Sequence, residues 1–111
     1  MQTFICEICQ KRFPTDFLHE HHKIPKSLGG SDDKSNIAML CHSDHNNLHT
    51  IAYAMINPKR QHNVDVLVTS IFPTDPNARG RLVNLSMLVA REMSLKKEIK
   101  KEDDAVVLHI S

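Results

Sequence analysis

The sequence predicts an α+β fold, with a strand–loop–strand–helix core in residues 1–57 and a mainly helical extension in residues 58–111. Three observations predict it. Two short segments, the extended 18–24 and the apolar 36–41, flank a Gly/Ser/Asp-rich loop. Leu48, Ile51, Ala52 and Met55 follow the i, i+3, i+4, i+7 spacing of a buried helix face. A Cys-x-x-Cys pair, Cys6 and Cys9, precedes both segments, and the third cysteine, Cys41, closes the second.

Taken in order, residues 3–13 read as a short hairpin turning at Cys6–Cys9 and closed by Phe4, Ile5 and Phe13. Residues 14–16 break it. Residues 18–24, LHEHHKI, are extended, and Pro25 biases Ile24 away from the helical region. SLGGSDDKSN is a loop long enough to suggest function. NIAMLC, 36–41, is the second strand. A helix follows from about Ser43 to Pro58, with Ser43 and Asp44 suited to its N-terminus.

The extension is less determined. Residues 63–72 are β-branched yet also carry helical spacing at Val64, Leu67, Val68 and Ile71. Residues 78–102 read as a helix burying Leu82, Leu85, Leu88, Val89 and Met93. Residues 105–110 are compatible with a strand. So small a core cannot cover that stripe and keep a substrate face open. The expectation is that residues 63–110 pack partly on the core helix through Ile51 and Met55, and partly across a homodimer interface. The competing arrangement is a monomer in which 63–72 and 105–110 pair as strands.

Composition narrows the class. With 111 residues, one domain fits. The net charge of +1 does not mark a strong nucleic-acid binder. No apolar run approaches the ~20 residues of a membrane span, so no membrane partner is expected. No signal peptide is evident. Three cysteines, two at metal-ligand spacing, point to reduced thiols in a cytoplasmic protein.

Chemistry concentrates in residues 19–49, which hold six of the eight histidines. Neutral imidazole is the commonest transition-metal ligand. His45 and His49, four apart, share one helix face. Zinc proteases use this spacing with Glu after the first His; here Asn46 stands there, so no base is supplied. His21 and His22 are adjacent and would face opposite sides of a regular strand. Only a twist or bend brings both to one site, where one could bind metal and the other act as base. Unrelated surface histidines are the plainer reading, but the two pairs together weigh against it.

In order, His21–His22, Pro25, Ser27, Gly29–Gly30, Asn36, His45 and His49 closely resemble the pattern of the HNH endonucleases, the ββα-metal nucleases. The resemblance covers roughly residues 4–52 and not the extension. It implies His22 as the general base activating water, and Asn36 as the residue that holds the loop and orients the base. It implies His21, His45 and His49 as ligands of the catalytic metal. The reaction implied is hydrolysis of DNA phosphodiester bonds to 5′-phosphate and 3′-hydroxyl ends, with the metal stabilising charge on the leaving oxygen. An all-imidazole set leans towards Zn²⁺, Ni²⁺ or Mn²⁺, with Mg²⁺ still open.

Many family members also hold a structural zinc between two Cys-x-x-Cys pairs. Cys6 and Cys9 match the first pair and Cys41 begins the second, but Asp44 stands at the fourth position. Aspartate can bind zinc, and His42 is a competing fourth ligand off the expected spacing. Otherwise Asp44 only caps the helix and the thiols serve as small apolar residues. Lys11, Arg12, Lys23, Lys26 and Lys34 could contact phosphates, though solvated charge explains each equally; Arg79, Arg81 and Arg91 could extend that footprint, though ordinary helix solubility explains them better. The alternative to an enzyme is a catalytically silent zinc module that binds nucleic acid or protein. A hydrolase of another substrate is a third reading.

Overall fold

A computed structural model describes the backbone of residues 2–110 and the side chains of residues 2–96. Strands β1 (Thr3–Ile5) and β2 (Arg12–Pro14) form an antiparallel hairpin in which Phe4 pairs with Phe13. Its turn carries the cysteine pair. Gln10 adopts a left-handed φ of 64°, and its N–H donates to the Cys6 carbonyl at 2.9 Å. Ile8, at the turn's tip, is fully buried. The turn is therefore pressed into the protein rather than exposed as a loop tip. The Glu7 N–H donates to the Met39 carbonyl at 2.9 Å and fixes it there.

Strands β3 (Leu18–His22) and β4 (Ile37–Cys41) pair antiparallel, with Leu18 opposite Cys41 and His22 opposite Ile37. Helix α1 (His42–Ile56) follows β4 without a linker. Ala38 and Leu40 are buried on the β4 face that meets Leu48, Ile51 and Ala52 of α1. The N-cap of α1 is Cys41, whose Sγ accepts from the Asp44 N–H at 3.5 Å, not Ser43.

Residues 63–72 resolve as helix: α2 spans Val64–Ile71. Helix α3 has bounds Pro76–Ile110. Residues 105–110, read as a strand from sequence, fall within those bounds, and their side chains lie outside the described residues. Leu82, Leu85 and Val89 are buried against the core of the same chain, while Leu88 and Met93 are half-buried. The stripe is covered without a second copy, which removes the packing reason for a homodimer. The fully buried Ser86 lets α3 approach α1 closely and donates its hydroxyl to the Leu48 carbonyl at 3.3 Å. Arg81 Nε donates to the Ile8 carbonyl at 2.8 Å, and Arg79 to the Phe72 carbonyl at 2.9 Å. These two arginines tie α3 to the cysteine turn and to the α2–α3 loop, rather than forming a phosphate footprint.

Candidate active site and metal centres

Strand alternation sets the histidine geometry. His19 and His21 share the β3 face towards α1, where the His21 ring centroid lies 5.8 Å from His45. His45 and His49, one turn apart on α1, have centroids 4.8 Å apart. His22 ends β3 and begins the departure into the loop. At that point the strand no longer dictates opposite faces. His21, His22 and His49 border one cleft of about 330 Å³, together with Pro25, Lys26 and Glu92.

The loop is held by Asn36, a buried residue. Its Nδ2 donates to the Ile24 carbonyl at 3.0 Å and the Ser31 carbonyl at 2.8 Å, and its Oδ1 accepts from the Ile24 N–H at 2.8 Å. The Lys23 N–H donates to the Asn36 carbonyl at 2.7 Å, pinning the chain just after His22. Gly30 permits the fold of Pro25–Gly30: a Cβ there would fall 1.7 Å from the Ile24 carbonyl oxygen. Gly29, at φ +87°, supplies the left-handed turn.

Among the described residues, the buried His21 Nε2 has no hydrogen-bond partner. Burial, then the neighbouring His45, His49 and His22, push the His21 imidazole down to about 4, while Glu92 pulls the other way. His45 is lowered by burial and then by His49, His19 and His42. His21 is therefore neutral at pH 7 with a lone pair to offer. A buried nitrogen without a partner beside the His45 and His49 rings is chemically suited to a transition metal, although among the described residues the ligand atoms that converge closely are those of Cys6, Cys9, Cys41 and Asp44. His22 differs in environment from this set. His22 Nε2 lies 2.9 Å from Asp32 Oδ1, and Lys26 Nζ reaches the same oxygen at 3.0 Å.

The second centre is separate. One ligand atom from each of Cys6, Cys9, Cys41 and Asp44 lies within 4.8 Å of the others, so the cluster could hold a metal ion. The Cys6 thiol donates to Asp44 Oδ2 at 3.2 Å. Asp44 is buried, and among the described residues no ion pair includes it. A buried carboxylate without a cation is costly, and three sulfur atoms beside it fit a zinc-type ion. Burial raises the Cys9 thiol and pushes Cys41 up to about 11. His42, the competing fourth ligand, faces elsewhere: its Nδ1 meets His19 Nε2 and its Nε2 lies 3.3 Å from the Asp16 carbonyl.

Three residues near the site were not anticipated. His19 stacks on His45 at 4.8 Å; its position two before His21 on one strand was the available signal. Asp32 lies in the Gly/Ser/Asp-rich loop, where no spacing singles it out. Glu92 had no sequence signal, because the packing of α3 alone brings it to the cleft.

Residues 6–50 match the family model described as HNH endonuclease. No curated protein and no solved structure matches the chain. Among the described residues, no helix is long and apolar enough to cross a membrane.

Proposed function

We propose that this protein, which carries an HNH endonuclease domain over residues 6–50, is a metal-dependent endonuclease that hydrolyses DNA phosphodiester bonds in the cytoplasm. The observation that carries the reading is the cleft shared by His21, His22 and His49, in which, among the described residues, only the His22 ring is held by a carboxylate. That contact supports reading His22 as the base and the other histidines as ligands.

With its Nε2–H donated to Asp32, His22 keeps the lone pair on Nδ1. Nδ1 takes a proton from water, and Asp32 stabilises the imidazolium that forms. The resulting hydroxide attacks phosphorus, the bond to the 3′ oxygen breaks, and that oxygen takes a proton from solvent. A 5′-phosphate and a 3′-hydroxyl remain. Asn36 keeps the loop in register so that Ile24, and His22 two residues before it, hold their direction.

His21, His45 and His49 would hold the divalent metal, with Zn²⁺, Mn²⁺, Ni²⁺ and Mg²⁺ all compatible in charge. When bound, the metal supplies Lewis-acid polarisation of a phosphoryl oxygen and stabilises negative charge at the leaving oxygen. Cys6, Cys9, Cys41 and Asp44 would hold a structural Zn²⁺ that staples the turn between β1 and β2 to the start of α1. A silent zinc-binding module would not need a partnerless buried His21 nitrogen beside a carboxylate-held His22.

The test is incubation of metal-stripped protein with supercoiled plasmid and a panel of divalent metals, with a chelator control. The expected products are nicked or linear DNA whose ends ligate without prior phosphorylation. Intact plasmid with every metal would reject the reading.

A further inference from the structure

The cleft formed by β3 and α1 is closed on one side by α3, an element outside the matched segment 6–50. Val89 and Glu92 of α3 line it together with His21, His22 and His49. We infer that the C-terminal extension completes the active site, with Glu92 supplying a carboxylate donor to the divalent metal held by His21, His45 and His49. This rests on the nuclease reading above and extends it.

Several features support the role. Glu92 is held from two sides. The Ser27 hydroxyl donates to Oε2 at 3.2 Å, and the Lys96 ammonium lies 3.0 Å from Oε1. The side chain is only 20% exposed. Each oxygen has one protein partner and so keeps a lone pair for a cation. The backbone beneath is fixed too: Ser86 is bonded to α1 and Val89 is buried one turn before Glu92. Helix packing, rather than a flexible loop, therefore sets the carboxylate's position.

The chemistry argues the same way. Three neutral imidazoles bring no charge to a dication. Glu20, the other carboxylate bordering the cleft, is exposed and sits at a β3 position that alternates away from His21. A mixed imidazole–carboxylate set accepts harder cations such as Mn²⁺ and Mg²⁺ than imidazole alone does. Those are cations suited to a phosphate-oxygen substrate. The competing role for Glu92 is a tether that anchors the loop through Ser27.

The experiment uses full-length protein carrying one equivalent of Zn²⁺, which the thiolate cluster takes first. Mn²⁺ is titrated in, and free Mn²⁺ is followed by electron paramagnetic resonance, with no DNA present. Glu92→Gln keeps size and hydrogen-bonding capacity and removes the charge. It is expected to weaken Mn²⁺ binding about 10- to 100-fold, while Ser27→Ala leaves it unchanged. Unchanged Mn²⁺ affinity in Glu92→Gln, with affinity lost in His45→Ala and His49→Ala, would overturn the Glu92 role and leave the nuclease reading intact. An equal loss in Ser27→Ala would also overturn it, by tracing the effect to the tether. Unchanged affinity in the histidine variants would instead remove the ligand set itself, and the Glu92 role with it.

Discussion

His22 Nε2 and Asp32 Oδ1 lie 2.9 Å apart, joining the last residue of β3 to the middle of the loop that follows. The contact fixes the ring plane and selects the tautomer with its lone pair on Nδ1. It also distinguishes His22 from His21, one residue away, whose buried nitrogen has no such partner.

His22→Ala removes the proposed proton acceptor and leaves His21, His45 and His49 in place. Plasmid cleavage is expected to fall by about 10²- to 10⁴-fold, the usual contribution of general-base catalysis. Mn²⁺ affinity and the thermal midpoint should stay near wild type. Full activity in a clean His22→Ala preparation would sink the base assignment, and added metal should not rescue the variant.

Asp32 should report the same pair through its own titration. Its carboxyl is held below the ordinary value of 3.8, first by the His22 hydrogen bond and then by Lys26. Because the folded value is depressed, any stability the pair contributes is present above pH 3.8 and is lost as pH falls through the lower folded value. Asp32 is fully exposed, so the stability effect is small. The carboxyl ¹³C shift is the better measurement. Its midpoint should lie below 3.8 in wild type and rise in both His22→Ala and Lys26→Ala, more in the former. An ordinary midpoint in wild type would mean that the pair does not persist in solution.

Gly29 and Gly30 make a second contrast. A methyl at Gly30 would collide with backbone, 1.7 Å from the Ile24 oxygen and 2.9 Å from the Pro25 oxygen. At Gly29 nothing lies within 4 Å, and only the left-handed φ opposes a side chain. Gly30→Ala must therefore open the turn that Asn36 clasps through Ile24. It is expected to cost about 2–3 kcal/mol and to depress cleavage, against about 1 kcal/mol for Gly29→Ala. Thermal melts of the two variants decide it; the reverse order would contradict the loop geometry.

The core was legible because its determinants are local. Leu48, Ile51 and Ala52 repeat at helical spacing, and all three are fully buried. The cysteine spacing likewise anticipated a cluster that the fold brings together with Asp44. Residues 63–72 were not legible, since their β-branched composition favours a strand while Val64, Leu67, Val68 and Ile71 carry helical spacing, and only packing against α1 and α3 decides. Ser86 looks like a surface residue, yet its small size is what allows the close approach of two helices. Glu92 and Arg81 act across sequence separations of 65 and 73 residues, which no local pattern encodes. Ser43 and Asp44 do lie in the first turn of α1, but the cap itself is Cys41. Cys41 serves both as N-cap and as a member of the cysteine cluster, so Asp44 is free to turn its carboxylate inward.

That inward carboxylate sets the last prediction. Asp44 is buried beside Cys6, Cys9 and Cys41, and an oxygen donor there holds zinc less firmly than a fourth thiolate would. Zinc bound to the folded state and not to the unfolded chain contributes its binding energy to stability. Asp44→Cys is therefore expected to raise zinc retention against a chelator and to raise the thermal midpoint. Asp44→Ala should lower both, and should expose the Cys6 thiol that Asp44 now accepts from. With Cys41 pushed up to about 11, zinc uptake must displace protons, so retention should weaken as pH falls. The zinc content of the three proteins after dialysis against chelator at two pH values is the measurement. Equal retention in Asp44→Ala and wild type would remove Asp44 from the site, and would leave the histidine cleft and its chemistry untouched.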